Sequence, residues 1–170
     1  MSERTCGVCN LCCKLYNVPE LDKPRDTWCT NCRKGKGCGI YPDWPAVCQD
    51  FFCLWRDERL AYMLPNEVRP DRCGVVLTAA FGGKDILATS SPDKPFAWRD
   101  NAVVYGFLKR CAASGASVSA RSGNAYFVIG SRGWFEVPHE WHGEDAADGT
   151  FAVKVPNELR ARLGIGGAVA

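Results

Sequence analysis

The chain has 170 residues, of which 46% are hydrophobic and 24% are charged, and it carries a formal net charge of +2 with a pI near 8.0. This length and composition are typical of one globular domain with at most a small appendage. The mild charge disfavours a nucleic-acid partner, and no apolar run approaches the ~18 residues that a membrane span needs.

The N-terminal sequence MSERTCG lacks the apolar region of a secretory signal peptide. We therefore expect a cytoplasmic protein without a membrane association. A protein partner fits this composition, but the sequence identifies none and predicts no oligomeric state.

Cysteine is the residue type that departs most from ordinary composition. Eleven are present, and nine of them precede residue 54. Many turn-forming residues and little periodicity accompany those nine. We divide the chain near residue 56 into a cysteine segment (residues 1–56) and a body (residues 57–170), and we expect the two to pack as one compact unit.

The nine clustered cysteines favour metal ligation over disulfides. There is no export signal, the count is odd, and a reducing cytosol keeps thiols free. Soft thiolates select zinc, copper(I) or iron–sulfur clusters. A closed zinc site and a [4Fe–4S] cluster each take about four ligands, so nine cysteines supply two such sites with one to spare. One polynuclear cage with bridging thiolates is the alternative. The adjacent Cys12 and Cys13 point in different directions, which predicts that they serve different metals or different corners of one cluster.

The body is predicted to be α+β. Residues 73–81 and 85–90 are predicted to be strands joined through Gly82-Gly83. Residues 99–113 are predicted to form an amphipathic helix that ends at Ser114-Gly115. Its apolar face comprises Val103, Val104, Phe107, Leu108 and Cys111. ASVSARSG, NAYFVIG and GWFEVP predict a strand meander with turns at Gly123-Asn124 and Arg132-Gly133, and GTFAVKVP predicts a last strand. The helix NELRARLG is then predicted to start with Asn157 as N-cap and to end before Gly164.

The order of these elements, without a repeated βαβ alternation, favours a mostly antiparallel sheet. The predicted fold class is thus α+β, with an irregular cysteine-rich metal-binding segment packed on a small, mostly antiparallel sheet that carries one or two helices.

The spacing of the cysteines resembles a known family. The run Cys6-x-x-Cys9-x-x-Cys12-Cys13, followed by WCTNC, GCGIYPDWPAVC and FFCLW, is similar to the CxxCxxCC cysteine-cluster family, described as a zinc- or iron-chelating domain. The similarity covers about residues 6–55. It implies metal or cluster binding by the nine cysteines, which are Cys6, Cys9, Cys12, Cys13, Cys29, Cys32, Cys38, Cys48 and Cys53. The family usually has arginine in YxDRPxxC where this chain has Trp44.

The resemblance implies little about activity, and no residue is predicted to be catalytic. We expect a metal-binding protein whose cofactor is zinc or an iron–sulfur cluster. One alternative is an iron–sulfur redox or protein-modifying enzyme, because flagellin lysine-methylases look similar in this cluster, although nothing after residue 56 resembles a methyl-donor site. The other is a zinc-ribbon-like nucleic-acid-binding module that uses the basic loop RKGKG at residues 33–37.

Three further features have ordinary explanations. Cys73, in a strand pattern, and Cys111, on the apolar helix face, are expected to be small buried residues. His139 and His142 in HEWH are expected to lie in an exposed polar loop. The basic loop is expected to be a solvated turn that offsets thiolate charge.

Overall fold

The cysteine segment forms only short elements in the computed structural model, which describes residues 4–141 and 155–165 of the chain. A segment so rich in Gly, Pro and Cys offers no apolar periodicity that would sustain a longer helix or strand. Its elements are α1 (Cys12–Leu15), β1 (Cys32–Arg33), β2 (Gly37–Cys38) and α2 (Ala46–Gln49), with 3₁₀ turns at Pro19–Leu21 and Leu54–Arg56.

The body contains a five-stranded mixed sheet whose strands are neighbours in chain order. Its elements are α3 (Pro70–Cys73), β3 (Val75–Ala80), β4 (Asp85–Ser90), α4 (Ala97–Asp100), α5 (Ala102–Ala113), β5 (Ser117–Ser122), β6 (Ala125–Ile129), β7 (Trp134–Glu136) and α6 (Asn157–Leu163), with 3₁₀ turns at Glu58–Leu60, Asn66–Val68, Phe81–Gly83 and His139–Trp141. Together with the cysteine segment this confirms the α+β class.

Three of the four strand pairs in this sheet are antiparallel, as predicted, and β4 with β5 is parallel. The hairpin between β3 and β4 turns at Gly82 and Gly83, both of which have positive φ. The parallel pair was not predicted. It arises because α4 and α5 lie between two adjacent strands and give the chain the length needed to return to the same edge.

The predicted helix over residues 99–113 is instead two helices separated at Asn101. The Asn101 side-chain oxygen accepts hydrogen bonds from the backbone N–H groups of Val103 and Val104, at 3.1 and 3.0 Å, and so caps α5. Restarting the helix there turns Val103 outward, to 41% exposure, whereas Phe107 and Leu108 lie in the core as expected.

Two other boundaries differ from the prediction. Cys73 is the last residue of α3 rather than part of a strand, and Gly74 ends that helix in the left-handed conformation. Asn157 is the first residue of α6 and Pro156 precedes it as N-cap, while Gly164 ends the helix as predicted. Of the predicted strand at residues 149–156, residues 149–154 lie outside the described residues.

The core joins the two parts of the chain. Leu15, Leu54 and Trp55 of the cysteine segment belong to the same buried cluster as Trp98 and Phe127 of the body. Because burial of apolar side chains is the main source of stability, these contacts fix the cysteine segment against one face of the sheet. Among the described residues, no helix has the length and apolarity required to cross a bilayer.

Candidate metal centre

The nine clustered cysteines come from separate short elements and turns, and the fold brings them into two neighbouring groups. All eleven cysteines of the chain are free. We call the first group the four-thiol set, which is Cys6, Cys9, Cys12 and Cys53, and the second group the five-thiol set, which is Cys13, Cys29, Cys32, Cys38 and Cys48.

The four-thiol set lines one small cavity. This cavity has a volume of about 20 Å³, and its other walls are apolar or cationic: Phe51, Trp55, Arg56, Pro70 and Val76. Such a volume holds one water-sized occupant, since about 10–15 Å³ is the minimum for a water molecule. Three separate parts of the chain contribute the thiols, namely the turn at residues 6–9, the start of α1 and the residue before Leu54–Arg56.

Burial and a nearby cation have opposite effects on the thiol pKa values at this cavity. Burial raises the pKa of the Cys6 thiol, and the nearby Arg56 guanidinium lowers it in part. Arg56 Nε is buried and has no hydrogen-bond partner among the described residues. Burial raises the pKa of Cys53, which is 6% exposed, to about 11. Arg56 is therefore a partly buried cation that can offset negative charge on thiolates at this cavity.

Asp71 adds a carboxylate at the edge of the four-thiol set. Burial raises the pKa of the Cys9 thiol, and the Asp71 charge contributes in the same direction. Both Asp71 oxygens accept hydrogen bonds from Arg69, at 2.6 and 2.8 Å, which lowers the pKa of the Asp71 carboxyl. This ion pair lies on α3, so the first helix of the body reaches the cysteine segment.

The five-thiol set is assembled by backbone hydrogen bonds. Cys29 N–H donates to the carbonyl of Cys13 at 3.0 Å, and Cys32 N–H donates to the carbonyl of Cys29 at 3.0 Å. Cys32 and Cys38 are direct partners across β1 and β2. Burial, followed by the thiols of Cys13, Cys29 and Cys38, raises the pKa of the Cys48 thiol. Five thiols from four parts of the chain thus influence one another.

The two sets meet at the adjacent residues Cys12 and Cys13. The side-chain hydrogen bond with Cys12, followed by burial, raises the pKa of the Cys13 thiol, whereas an interaction with Cys32 opposes the rise. Cys12 faces the cavity of the four-thiol set. That these two neighbouring cysteines serve different metals or different corners of one cluster stays a prediction.

Two buried cations hold α1 in place, and the sequence analysis assigned a role to neither. Lys23 Nζ donates to the carbonyls of Lys14 and Pro24, each at 3.1 Å, and to that of Tyr16. Arg121 on β5 donates to the carbonyl of Leu15 at 3.0 Å. Cations at the carboxyl end of a helix satisfy its unpaired carbonyls.

Arg121 also binds Asp26, at 3.1 Å between Nη1 and Oδ2, and the Gly123 carbonyl at 3.0 Å. An arginine among the small residues of SVSARS is the one sequence signal that could have revealed it, because a charge in a buried strand needs partners. Arg121 therefore links the α1 end and the Asp26 loop to the sheet.

The donor chemistry fits a soft metal, but the donors are not arranged as ligands. Within residues 4–141 and 155–165, no three His, Cys, Asp or Glu side chains are placed so as to hold one metal ion. The raised pKa values of Cys6, Cys9, Cys13, Cys32, Cys48 and Cys53 also favour neutral thiols over thiolates. Metal binding would therefore require that these thiols lose their protons and that their side chains move.

The remaining sequence features lie away from both thiol sets or have local partners. Lys34 of the basic loop packs over the Trp28 ring, 4.5 Å from its centroid. His139 is in a 3₁₀ turn, and His142 lies outside the described residues. A larger open cavity of about 380 Å³, lined in part by Cys73 and Lys94, includes none of the nine clustered cysteines.

Cys73 and Cys111 are partly buried and pack against the hydrophobic core, as expected for structural cysteines. Tyr41 is exposed, and its ring packs against the partly buried ring of Trp44, with centroids 4.9 Å apart and an interplanar angle of 49°.

The chain matches no protein-family model, no curated protein and no solved structure.

Proposed function

We propose that this protein binds zinc or an iron–sulfur cluster through its cysteine segment, and that the bound metal stabilises the fold of that segment. The observation that supports this most directly is the small cavity lined by Cys6, Cys9, Cys12 and Cys53. Four thiols from three parts of the chain around one atom-sized space match the donor number and donor type of zinc and cluster sites. The resemblance to the CxxCxxCC pattern supports the same function independently of the fold.

The protein's own residues would have two tasks. The thiols would lose their protons and bind the metal. The metal would contribute the bonds that cross-link these cysteines. The cationic side chains of Arg56 and Lys23 would offset the thiolate charge, since uncompensated buried charges are costly. Phe51, Trp55 and Val76 would keep water away from the four-thiol set.

Metal binding also has an energetic rationale. The cysteine segment has no α-helix or strand longer than four residues among its described residues, and its contribution to the core is small. A segment of this size rarely buries enough surface to fold alone. A structural zinc ion contributes on the order of 10–16 kcal/mol in small zinc peptides, which would supply the missing stability.

The test is purification without oxygen, followed by a visible spectrum and joint determination of zinc, iron and acid-labile sulfide. We expect stoichiometric metal in the wild-type protein and in the matched controls Cys73→Ser and Cys111→Ser, whose cysteines lie outside both thiol sets. If no preparation contains stoichiometric metal and the chelator-treated protein keeps its native near-UV CD, the proposal is wrong.

The same measurement separates two classes of biological role. Colourless protein with about two zinc ions would favour a structural cage in an interaction module. Brown protein with about four iron and four sulfide per site would favour a redox, sensing or protein-modifying enzyme. Oxygen must be excluded throughout, because zinc readily occupies thiols that an oxidised cluster has left.

A further inference from the structure

The division of the cysteines into two sets bears on a question that their spacing leaves open, which is how many metal sites the segment contains and which thiols share one. Eight thiols can be divided into two groups of four in roughly 35 ways, by the same counting that prevents disulfide assignment from sequence. The fold reduces these possibilities because it places the thiols against different parts of the protein.

The four-thiol set is backed by the body. Cys53 is buried, and the cavity it lines is closed on one side by Val76 of β3 and by Pro70 of α3. The unpartnered Arg56 Nε lies at the same cavity. An occupant here would be held between the sheet and the cysteine segment.

The five-thiol set lies on the outer part of the segment. Cys32 and Cys38 pair across a two-strand hairpin whose connecting residues, Lys34 to Lys36, are exposed. Asn10, which is 7% exposed, braces this hairpin by donating to the Arg33 carbonyl at 3.1 Å. Cys32 and Cys38 are therefore held by contacts within the cysteine segment.

The boundary between the sets is the peptide bond joining Cys12 to Cys13. Lys23 and Arg121 bind the carbonyls of residues 14 to 16 and so fix the end of α1, on which both cysteines lie. With that end fixed, Cys12 lines the cavity, while Cys13 contacts both Cys12 and Cys32. One short helix thus supplies one thiol to each set.

We propose that the cysteine segment contains two separately filled metal sites, one formed by Cys6, Cys9, Cys12 and Cys53 and the other by four of Cys13, Cys29, Cys32, Cys38 and Cys48. This division rests on the proposed function and goes beyond it by assigning the ligands. The inner site, backed by the sheet, releases its metal more slowly than the outer site. The outer set has one thiol more than a closed tetrahedral site needs.

The experiment uses the full chain reconstituted with zinc under anaerobic, reducing conditions and examined by native mass spectrometry. Cys6→Ser leaves three thiols in the inner set, and because Cys6 is exposed the substitution removes no core contact. The double variant Cys29→Ser/Cys32→Ser leaves three thiols in the outer set, which a single substitution would not achieve because of the spare thiol. Cys73→Ser is the matched control.

We expect about two zinc ions in the wild-type protein and the control, and about one in each of the two variants. Zinc release to a chelator should have two phases in the wild-type protein, with the slow phase missing from Cys6→Ser and the fast phase missing from the double variant. Near-UV CD of the body checks that each variant is folded.

Two results would overturn the division while leaving metal binding intact. If either variant loses both ions together, the nine thiols form a single polynuclear cage. If Cys6→Ser keeps both ions, the inner set is assigned wrongly. A wild-type protein that binds neither zinc nor iron would contradict the proposed function itself, and the division with it.

Discussion

The cysteine segment and the body are stabilised in different ways. In the body, Trp98 and Phe127 are fully buried and pack with Trp134 at ring-centroid distances of 5.3 to 5.8 Å. In the cysteine segment, short elements are held by polar groups such as Lys23 and by a few side chains, among them Leu15, that reach the shared core.

This difference indicates which part of the molecule can be stabilised by burial of apolar surface alone. A sheet with a helix packed on its apolar face buries enough surface to be stable, whereas a loop-rich segment of similar length usually needs metals or disulfides. All eleven cysteines are free, so covalent cross-links do not supply that stability here. Substitutions in the body and in the cysteine segment can test this contrast separately.

The largest expected effect is in the body. Trp98→Ala removes a side chain that is 0% exposed and contacts Phe127, Tyr105 and Trp134. We expect a loss of about 3–5 kcal/mol in the free energy of unfolding, because the aromatic core cannot close the cavity that remains. Urea denaturation followed by tryptophan fluorescence and far-UV CD measures this loss. Tyr62→Ala, at a side chain that is 81% exposed, is the control and should change the midpoint little.

The second effect concerns the link between the two regions. Arg121→Met leaves the Leu15 carbonyl and Asp26 without their cation. We expect a loss of about 2–4 kcal/mol, below the value for a fully buried pair because the Asp26 side chain is 19% exposed. Limited proteolysis should show cleavage beginning in the cysteine segment.

The control for that substitution is Arg59→Met, because the Arg59 side chain is 88% exposed although it also pairs with an aspartate, whereas the Arg121 side chain is 5% exposed. This variant should behave as wild type. If Arg121→Met were equally silent, the cation on β5 would not anchor the segment.

A smaller effect is expected from the cation at the four-thiol set. Arg56→Met should weaken zinc binding at that set by about 10-fold, the lower end of the range for groups that support metal ligands. Competition with a chromophoric chelator measures the affinity, and Arg72→Met, at an exposed position, is the matched control. An unchanged affinity would show that Arg56 does not compensate thiolate charge.

The smallest effect is a pH dependence. The stability of the metal-free protein should fall at high pH, whereas zinc affinity should rise with pH. Burial raises the pKa of Cys53 to about 11, above its ordinary value of 9.0. The metal-free protein therefore has the full stability contributed by this thiol below pH 9.0, and it loses that contribution as the pH rises toward 11. Zinc binding requires thiolate, so zinc affinity should instead increase with pH between roughly 6 and 8.

Thermal midpoints recorded with chelator and zinc titrations in weak buffer measure the two trends. Proton release on zinc addition is a further sign of thiolate formation. Zinc affinity that is independent of pH would contradict ligation by these thiols.

The body could be predicted largely from local patterns. Two short strand-like runs joined by the Gly82-Gly83 turn predicted β3 and β4, and the 3.6-residue period predicted the helix that contains Phe107. The break at Asn101 was missed because capping depends on one side-chain rotation inside a continuous periodic pattern. Parallel pairing of β4 and β5 was missed because it depends on long-range topology rather than on local sequence.

The arrangement of the candidate site, unlike the body, could not be predicted from local patterns. The sequence predicted all nine clustered cysteines as candidate ligands, but their division into two sets depends on contacts between residues far apart in the chain, such as Cys12 with Cys53 around one cavity. The roles of Lys23 and Arg121 were equally hidden, since a buried cation is recognised by its partners and those partners are backbone carbonyls. The sequence does not show which backbone carbonyls will accept a hydrogen bond from a buried cation.

The most direct test of the central claim is amide hydrogen exchange of the full protein, compared between its zinc-reconstituted and chelator-treated forms under reducing conditions. Metal that stabilises the cysteine segment should slow exchange across residues 6–56 by at least about 100-fold, while β3 to β6 exchange at similar rates in both forms. Identical protection of residues 6–56 in the two forms would contradict the account.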